Sequence, residues 1–192
     1  MIWDDQNAAD ALMIKVEEKI AHLNEVSASL TKQLEDDNLT NDQVTVINDK
    51  ISALGDRVSN LNASISDIKQ IGEDEINTYS LNQSGGGTHG DVTKGSNSKV
   101  TINAPTDGLA LHEIKHITQS EKAGGLKFAN GKLQNAGQTR QERINNEIQG
   151  YHSQFSLNGY IPGAGPIWSP LKITPTMIIN MKDSNGNILY PY

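Results

Sequence analysis

The most reactive side chains of the sequence lie in one short run, His112-Glu113-Ile114-Lys115-His116. The run has the pattern H-E-x-x-H, and its apolar flanks predict a helix. Residues four apart lie on one helix face, so both imidazoles can bind the same metal ion. Zinc takes two neutral imidazoles and a third protein ligand and keeps one position for water. Glu113 reaches the same end of the site, where it can accept a proton from that water and pass it to a leaving amine.

A catalytic zinc needs a third ligand, and the absence of cysteine restricts that ligand to histidine or a carboxylate. Glu142 is better explained as the capping-box partner of Thr139, at the start of a second helix. Glu121 follows the histidine helix and is expected to face solvent. The candidates by position are His89, Asp91, Glu121, Glu142, Glu147 and His152.

Glu147 differs from the other candidates in its neighbours. Ile144, Ile148 and Tyr151 place it on or beside the apolar face of its helix. A carboxylate buried there is costly without a partner, and a metal ion would serve as one. The alternative is that Glu147 lies at the edge of the apolar stripe and reaches water.

Charge divides the sequence into two regions. Residues 1–76 carry 16 acidic and 6 basic side chains, whereas residues 77–192 carry 7 acidic and 10 basic ones. All six prolines follow residue 76. We therefore predict a helical region over 1–76, a flexible linker over 77–98 and a mixed domain over 99–192. The net charge of −7 argues against a nucleic-acid partner.

The first region predicts an antiparallel helical hairpin. Thr40 and Gln43 form a capping box after a short turn at residues 36–39. Such a coiled-coil hairpin could dock on a partner or associate with itself. The heptad seam of the second helix comprises Val44, Ile47, Ile51, Leu54, Val58, Leu61, Ile65 and Ile68.

The mixed region must position the histidine run, and its pattern predicts an α+β fold with a short sheet. A strand over 99–104 precedes the histidine helix, which we place at 108–119. Asn130-Gly131 predicts a β-hairpin turn. The predicted elements after it are a glutamate helix from Thr139 to about Leu157 and a last hairpin with strands 176–181 and 187–190.

These motifs resemble the zincin metallopeptidases, and Asn146-Glu147-Ile148-Gln149-Gly150 resembles the glutamate segment of the Glu-zincin branch. The resemblance implies a zinc peptidase with His112, His116 and Glu147 as metal ligands and Glu113 as general base. It also implies that the strand over 99–104 binds an extended peptide by edge pairing. The sequence departs from the family in the thirty residues between His116 and Glu147 and in Gly150, which stands in place of alanine.

Zincins also place a hydrogen-bond donor over the developing oxyanion. Tyr151 and His152 lie one turn after Glu147, and we assign the catalytic role to Tyr151. Tyr151 also stands where the family often has a carboxylate that orients a histidine. The alternatives are that Tyr151 is a core residue with a satisfied hydroxyl, and that His89 moves in from its glycine-rich loop.

The arrangement as a whole resembles the C-terminal toxin modules of bacterial polymorphic toxins, with a coiled coil before a small H-E-x-x-H domain. This second resemblance implies an immunity or inhibitor protein as partner and a dedicated secretion route. No signal peptide and no apolar run of about 20 residues is visible in the sequence.

Two functions of different classes follow from these features. The first is a zinc-dependent peptidase that cleaves a protein or peptide substrate. The second is a non-enzymatic interaction module, in which the acidic hairpin binds a partner and the H-E-x-x-H pair is vestigial or structural. A role of the hairpin alone as a chaperone-like or secretion adaptor is a third reading, and it predicts that partner binding survives truncation after residue 76.

Overall fold

The structure is a computed structural model that describes residues 3–84, 89–162, 164, 166–183 and 185–191. It confirms the predicted α+β class. The helices are α1 (Gln6–Gln33), α2 (Asn41–Gly72), α3 (Asp107–Lys122), α4 (Arg140–Asn158) and α5 (Pro175–Asn180), with a 3-10 turn at Pro170–Lys172. The strands are β1 (Thr78–Asn82), β2 (Asp91–Lys94), β3 (Lys99–Asn103), β4 (Phe128–Ala129) and β5 (Lys132–Leu133). The glycine-rich run at 85–88 lies outside the described residues.

Helices α1 and α2 form the predicted antiparallel hairpin. The capping box of Thr40 and Gln43 starts α2 as expected. The apolar residues of α1 and α2 that lie far from the connecting turn do not form a core of their own. They are buried together with residues of the sheet and of α3, in a set that includes Leu12, Val16, Leu61, Ile68, Tyr79, Val92, Ile102, Leu111 and Ile114.

The prediction of a flexible linker over 77–98 does not hold for the residues of β1 and β2. Strand β1 pairs in parallel with β3, and β2 pairs with the other edge of β3 in the antiparallel sense. Tyr79 and Val92 are almost completely buried. The Gly, Ser, Thr and Asn residues around them give these segments the composition of a loop, although each strand carries one core side chain.

Strand β3 lies between β1 and β2 in a sheet of order β1-β3-β2-β5-β4. Both of its edges are occupied by neighbouring strands, so it cannot pair with a substrate as the resemblance implied. The structural reason is that β1 and β2 come from the segment expected to be a linker. The predicted turn at Asn130-Gly131 is confirmed, and it joins β4 to β5. The φ angles of the two residues are 51° and 76°.

Most of the segment 176–181, predicted as a strand, belongs instead to α5, which ends at Asn180. The Thr174 hydroxyl accepts a hydrogen bond from the Met177 N–H, and Pro175 occupies the first helical position, where its fixed φ favours a helix. A short apolar run such as 177–179 has no periodicity that separates a strand from a helix. The following turn does form, because Asp183 accepts hydrogen bonds from the Asn185 and Asn187 N–H groups.

The amino-terminal residues are attached to the edge of the sheet. Trp3 forms a parallel bridge with Tyr79, and the Asp4 N–H donates to the Tyr79 carbonyl at 2.7 Å. Gly72, at the end of α2, packs against the Trp3 indole, where an added Cβ would lie 3.2 Å from Nε1. Both ends of the helical hairpin therefore meet at β1.

Polar contacts fix the hairpin to the two helices that carry the candidate site. Asp67 of α2 forms a buried ion pair with Lys115 of α3. Arg57 of α2 donates from Nε and Nη2 to the Ser156 carbonyl of α4, at 3.1 and 2.9 Å. The helical hairpin thus supports the back of α3 and α4. Among the described residues no helix is both long enough and apolar enough to span a bilayer.

Candidate metal centre

His112 and His116 of α3 and Glu147 of α4 meet in the interior of the molecule. The two Nε2 atoms lie 3.0 Å apart, and Glu147 Oε2 lies 3.5 Å from His112 Nε2 and 3.3 Å from His116 Nε2. Bonds of about 2.0–2.2 Å in a tetrahedral zinc site separate the ligand atoms by about 3.3–3.5 Å. The two distances to Glu147 Oε2 match this range, and the distance between the imidazoles is slightly shorter, so the three ligand atoms are close enough to hold one metal ion.

A close approach of α4 to α3 brings the ligands together, and Gly150 permits it. A Cβ at position 150 would lie 2.9 Å from both Cδ2 and Nε2 of His112. An alanine, the residue usual in the zincin segment, would therefore collide with the His112 ring in this packing. Glycine at position 150, in place of the alanine of the segment that the sequence resembles, is therefore matched to the spacing of these two helices.

The orientation of His116 is fixed by a glutamine. Gln119 Oε1 lies 2.9 Å from His116 Nδ1, so Nδ1–H donates to it and Nε2 faces the site. Gln119 is itself held through its Nε2, which donates to the Asn146 carbonyl and to Gln149 Oε1. Sequence reasoning missed Gln119, because an amide at this position gives no signal of its partner.

His112 is oriented by packing. Its ring contacts Tyr151 edge-to-face, with ring centroids 4.5 Å apart. Its Nδ1 is buried and has no hydrogen-bond partner in the part of the chain that the structure describes. Tyr151, four residues after Glu147, thus contacts His112 at the position where the zincins often have a carboxylate that orients a histidine.

Glu147 is held by Asn135, from the loop between β5 and α4. Asn135 Nδ2 donates to Glu147 Oε1 at 2.8 Å, which leaves Oε2 directed toward the histidines. Asn135 Oδ1 accepts from Asn146 Nδ2 and from the Gly137 N–H. This role was not predictable from the sequence, because the loop is positioned by the tertiary fold.

Glu147 and His116 form a buried ion pair. Burial raises the pKa of Glu147, but the charges of His116 and His112 and their hydrogen bonds outweigh it and bring the pKa well below its usual value. Burial lowers the pKa of His116, but the Glu147 charge outweighs it and the pKa rises to about 9. A proton therefore occupies His116 at neutral pH when no metal is bound.

Glu113 is a buried carboxyl group in the same cavity. Burial raises its pKa, His112 and His116 lower it, and Glu147 and Asp91 raise it further. The main chain at Gly90 packs on this side chain so closely that a Cβ there would lie 2.8 Å from Glu113 Cγ. A carboxyl group with a raised pKa exchanges protons more readily near neutral pH, as a general base must.

Tyr151 is positioned differently from its predicted role. Its hydroxyl lies 2.8 Å from the Tyr190 hydroxyl, and Tyr190, not Tyr151, lines the cavity. Burial raises the pKa of both phenols, so both hydroxyls stay protonated. Tyr190 is therefore the phenol that lines the cavity, and Tyr151 packs on His112 and contacts Tyr190. The sequence did not single out Tyr190, because its approach depends on the turn in which Asp183 accepts hydrogen bonds from Asn185 and Asn187.

The other candidate ligands do not join the cluster. Glu142 completes the predicted capping box with Thr139. Glu121 accepts hydrogen bonds from Gln70 and Tyr79 and does not simply face solvent. His152 contacts the Pro170 backbone, Asp91 pairs with Lys132, and His89 is exposed.

The cavity that contains the cluster measures about 610 Å³. Its walls come from the start of β2, from α3, from β5 and the following loop, from α4, and from Leu189 and Tyr190. Within the described ranges the helical hairpin contributes no residue to these walls. No family model, curated protein or solved structure matches the chain. Function must therefore be inferred from the geometry of this cavity.

We expect replacement of Asn135 to weaken metal binding while the fold is retained. In Asn135→Ala, Glu147 Oε1 loses its amide donor, and the carboxylate is no longer fixed in orientation. Loss of such a partner typically weakens metal affinity about 10- to 100-fold. Competition with a chromophoric zinc chelator measures this effect, with Asn145→Ala, on the exposed side of α4, as the control. An affinity equal to that of the wild type would contradict the role of Asn135.

Zinc binding is expected to depend on pH through His116. The imidazole must be neutral to bind zinc, and its pKa is about 9 in the metal-free protein. The proton must therefore leave, so that apparent affinity rises about tenfold per pH unit from pH 6.5 toward 9, with release of about one proton per zinc. Calorimetry in buffers of different ionisation enthalpy measures this release. A pH-independent affinity without proton release would refute it.

Proposed function

We propose that the chain is a zinc-dependent peptidase. The observation that carries the proposal is the juxtaposition, in one buried cavity, of three ligand atoms at zinc-compatible spacing with the carboxyl group of Glu113. Two imidazoles with one carboxylate are a ligand set used by catalytic zinc. The resemblance of the histidine and glutamate segments to the zincins supports peptide as the substrate class.

Each of these residues has a proposed role that follows from its position in the cavity. His112, His116 and Glu147 would hold the ion, which when bound lowers the pKa of water and polarises a carbonyl. Glu113 accepts the proton of the attacking water and delivers it to the amine as the peptide bond breaks. The Tyr190 hydroxyl donates a hydrogen bond toward the oxyanion that develops on the scissile carbonyl. Gln119 orients His116, and Asn135 orients Glu147.

Elemental analysis of the purified protein tests the proposal. We expect about one zinc per chain, and its loss or marked weakening in both His112→Ala and Glu147→Ala. His22→Ala and Glu25→Ala change the same residue types at exposed positions of α1 and serve as controls. Zinc lost only with His112 would contradict Glu147 as the third ligand. No zinc in any form, even after addition of the metal, would refute the enzymatic function.

A further inference from the structure

The cavity wall carries a cation that the proposed chemistry does not use. Arg143 is half-buried, lines the cavity and lies four residues before Glu147 on α4. Residues at this spacing share one helix face, with their Cβ atoms about 5–6 Å apart. Arg143 and Glu147 thus both line the cavity from the same face of α4.

The Arg143 backbone is tied to the loop that orients Glu147. Asn135 Nδ2 donates both to the Arg143 carbonyl at 3.1 Å and to Glu147 Oε1 at 2.8 Å. Gly137 packs so tightly that a Cβ there would lie 2.5 Å from the Arg143 backbone nitrogen. Arg143 Nη1 also lies 3.5 Å from the Gly137 carbonyl. The position of Arg143 relative to the cluster is therefore fixed by the fold.

The two cations of the described cavity walls differ in their chemistry. Lys132 Nζ, on β5, pairs with Asp91 Oδ2 at 2.7 Å, and the two charges offset each other. The other ionisable groups of the described cavity walls, apart from the Tyr190 phenol, are the three ligands and Glu113. A guanidinium stays charged at all working pH values, and its planar fork matches the two oxygens of a carboxylate.

We propose that Arg143 is a specificity-determining residue that selects substrates with a carboxylate one or two residues from the scissile bond. The four residues from Arg143 to Glu147 span about 6 Å of helix. An extended peptide advances about 3.3–3.6 Å per residue, so this span corresponds to one or two substrate residues. The carboxylate belongs to an acidic side chain or to the C-terminus of the peptide. This inference rests on the proposed peptidase function and names its substrate class.

A binding experiment on the whole 192-residue chain separates the two proposals. The probes are succinohydroxamic acid, which carries a metal-binding hydroxamate and a carboxylate, and its amide analogue, which has the same length without the charge. Zinc-dependent binding of the amide probe reports the metal site alone. We expect the acid to bind the wild type about tenfold more tightly than the amide, since Arg recognises carboxylates as a charged pair. In Arg143→Gln the two dissociation constants should become equal within about twofold, and Arg143→Lys should be intermediate.

Matched variants exclude a general charge effect. Lys122→Gln removes a cation from the exposed end of α3 and should leave the preference unchanged. Equal affinities of the two probes for the wild type, or a preference that survives in Arg143→Gln, would overturn the role of Arg143. Failure of the amide probe to bind with zinc present would instead count against the metal site and the peptidase.

The source of the carboxylate is identified by cleavage of paired peptides. One pair differs by Glu and Gln at each position near the cleaved bond, and another by a C-terminal acid and amide. We expect one pair to show a preference of at least about tenfold in kcat/KM that Arg143→Gln abolishes. Dependence on the internal Glu identifies an acidic side chain, and dependence on the C-terminal acid identifies a carboxypeptidase. Equal cleavage within every pair by the wild type would overturn the proposal.

Discussion

Glu113→Gln is expected to lower peptide hydrolysis by about 10³-fold or more in kcat/KM, because the general base contributes about 10²–10⁴-fold and an amide cannot accept the proton. The change keeps the shape of the side chain inside its buried site. Glu113 is not among the three residues whose ligand atoms converge. Zinc content should therefore stay near one per chain. Parallel measurement of hydrolysis and bound zinc checks both halves of the expectation.

The pH profile of the wild type gives a second check on Glu113. The ionised carboxylate is the active form of the base, and burial raises its pKa. Activity should therefore fall as the pH drops through this raised value, on the acid side of the optimum. Unchanged hydrolysis in Glu113→Gln would favour the non-enzymatic interaction module, in which this residue has no special role.

Asp67→Ala is expected to destabilise the protein by about 3–5 kcal/mol, the usual cost of breaking a buried ion pair from one side. The substitution leaves the Lys115 ammonium, whose side chain is only 15% exposed, without its carboxylate between α2 and α3. Urea unfolding with a metal chelator present measures the change in the free energy of unfolding. Chelation keeps the metal contribution out of the comparison.

The same chain offers an exposed ion pair as the matched control. Asp4 pairs with Lys99, and both side chains are about half exposed. Asp4→Ala should lower the free energy of unfolding by only about 0.2–1 kcal/mol, because water screens exposed pairs. Similar effects of the two substitutions would show that the Asp67–Lys115 pair is not buried in solution.

Features of the fold with a local cause were predictable from the sequence. The capping boxes of Thr40 and Thr139 and the turn at Asn130-Gly131 depend on neighbouring residues only, and all three are present. The convergence of His112 and His116 follows from helical spacing. Glu147 was identifiable because a carboxylate beside an apolar helix face needs a partner.

Features that depend on contacts between distant segments were not predictable. Gln119 and Asn135 are ordinary amide residues until α4 and the loop before it bring their partners within 3.0 Å. Tyr190 reaches the cavity through the path of the chain after α5, whose helical state was itself mispredicted. The strands β1 and β2 were hidden because their burial depends on pairing with β3.

The attachment of Trp3 and Asp4 to β1 has a consequence for solubility. An open sheet edge offers unpaired N–H and C=O groups to another chain and promotes aggregation. Here the Asp4 N–H donates a hydrogen bond to the Tyr79 carbonyl on the outer side of β1. The strand at the other edge of the sheet, β4, has only two residues. The sheet thus presents little edge to a second copy. Removal of the segment before α1 should expose β1 and favour strand-to-strand aggregation, even though that segment lies outside the candidate metal centre.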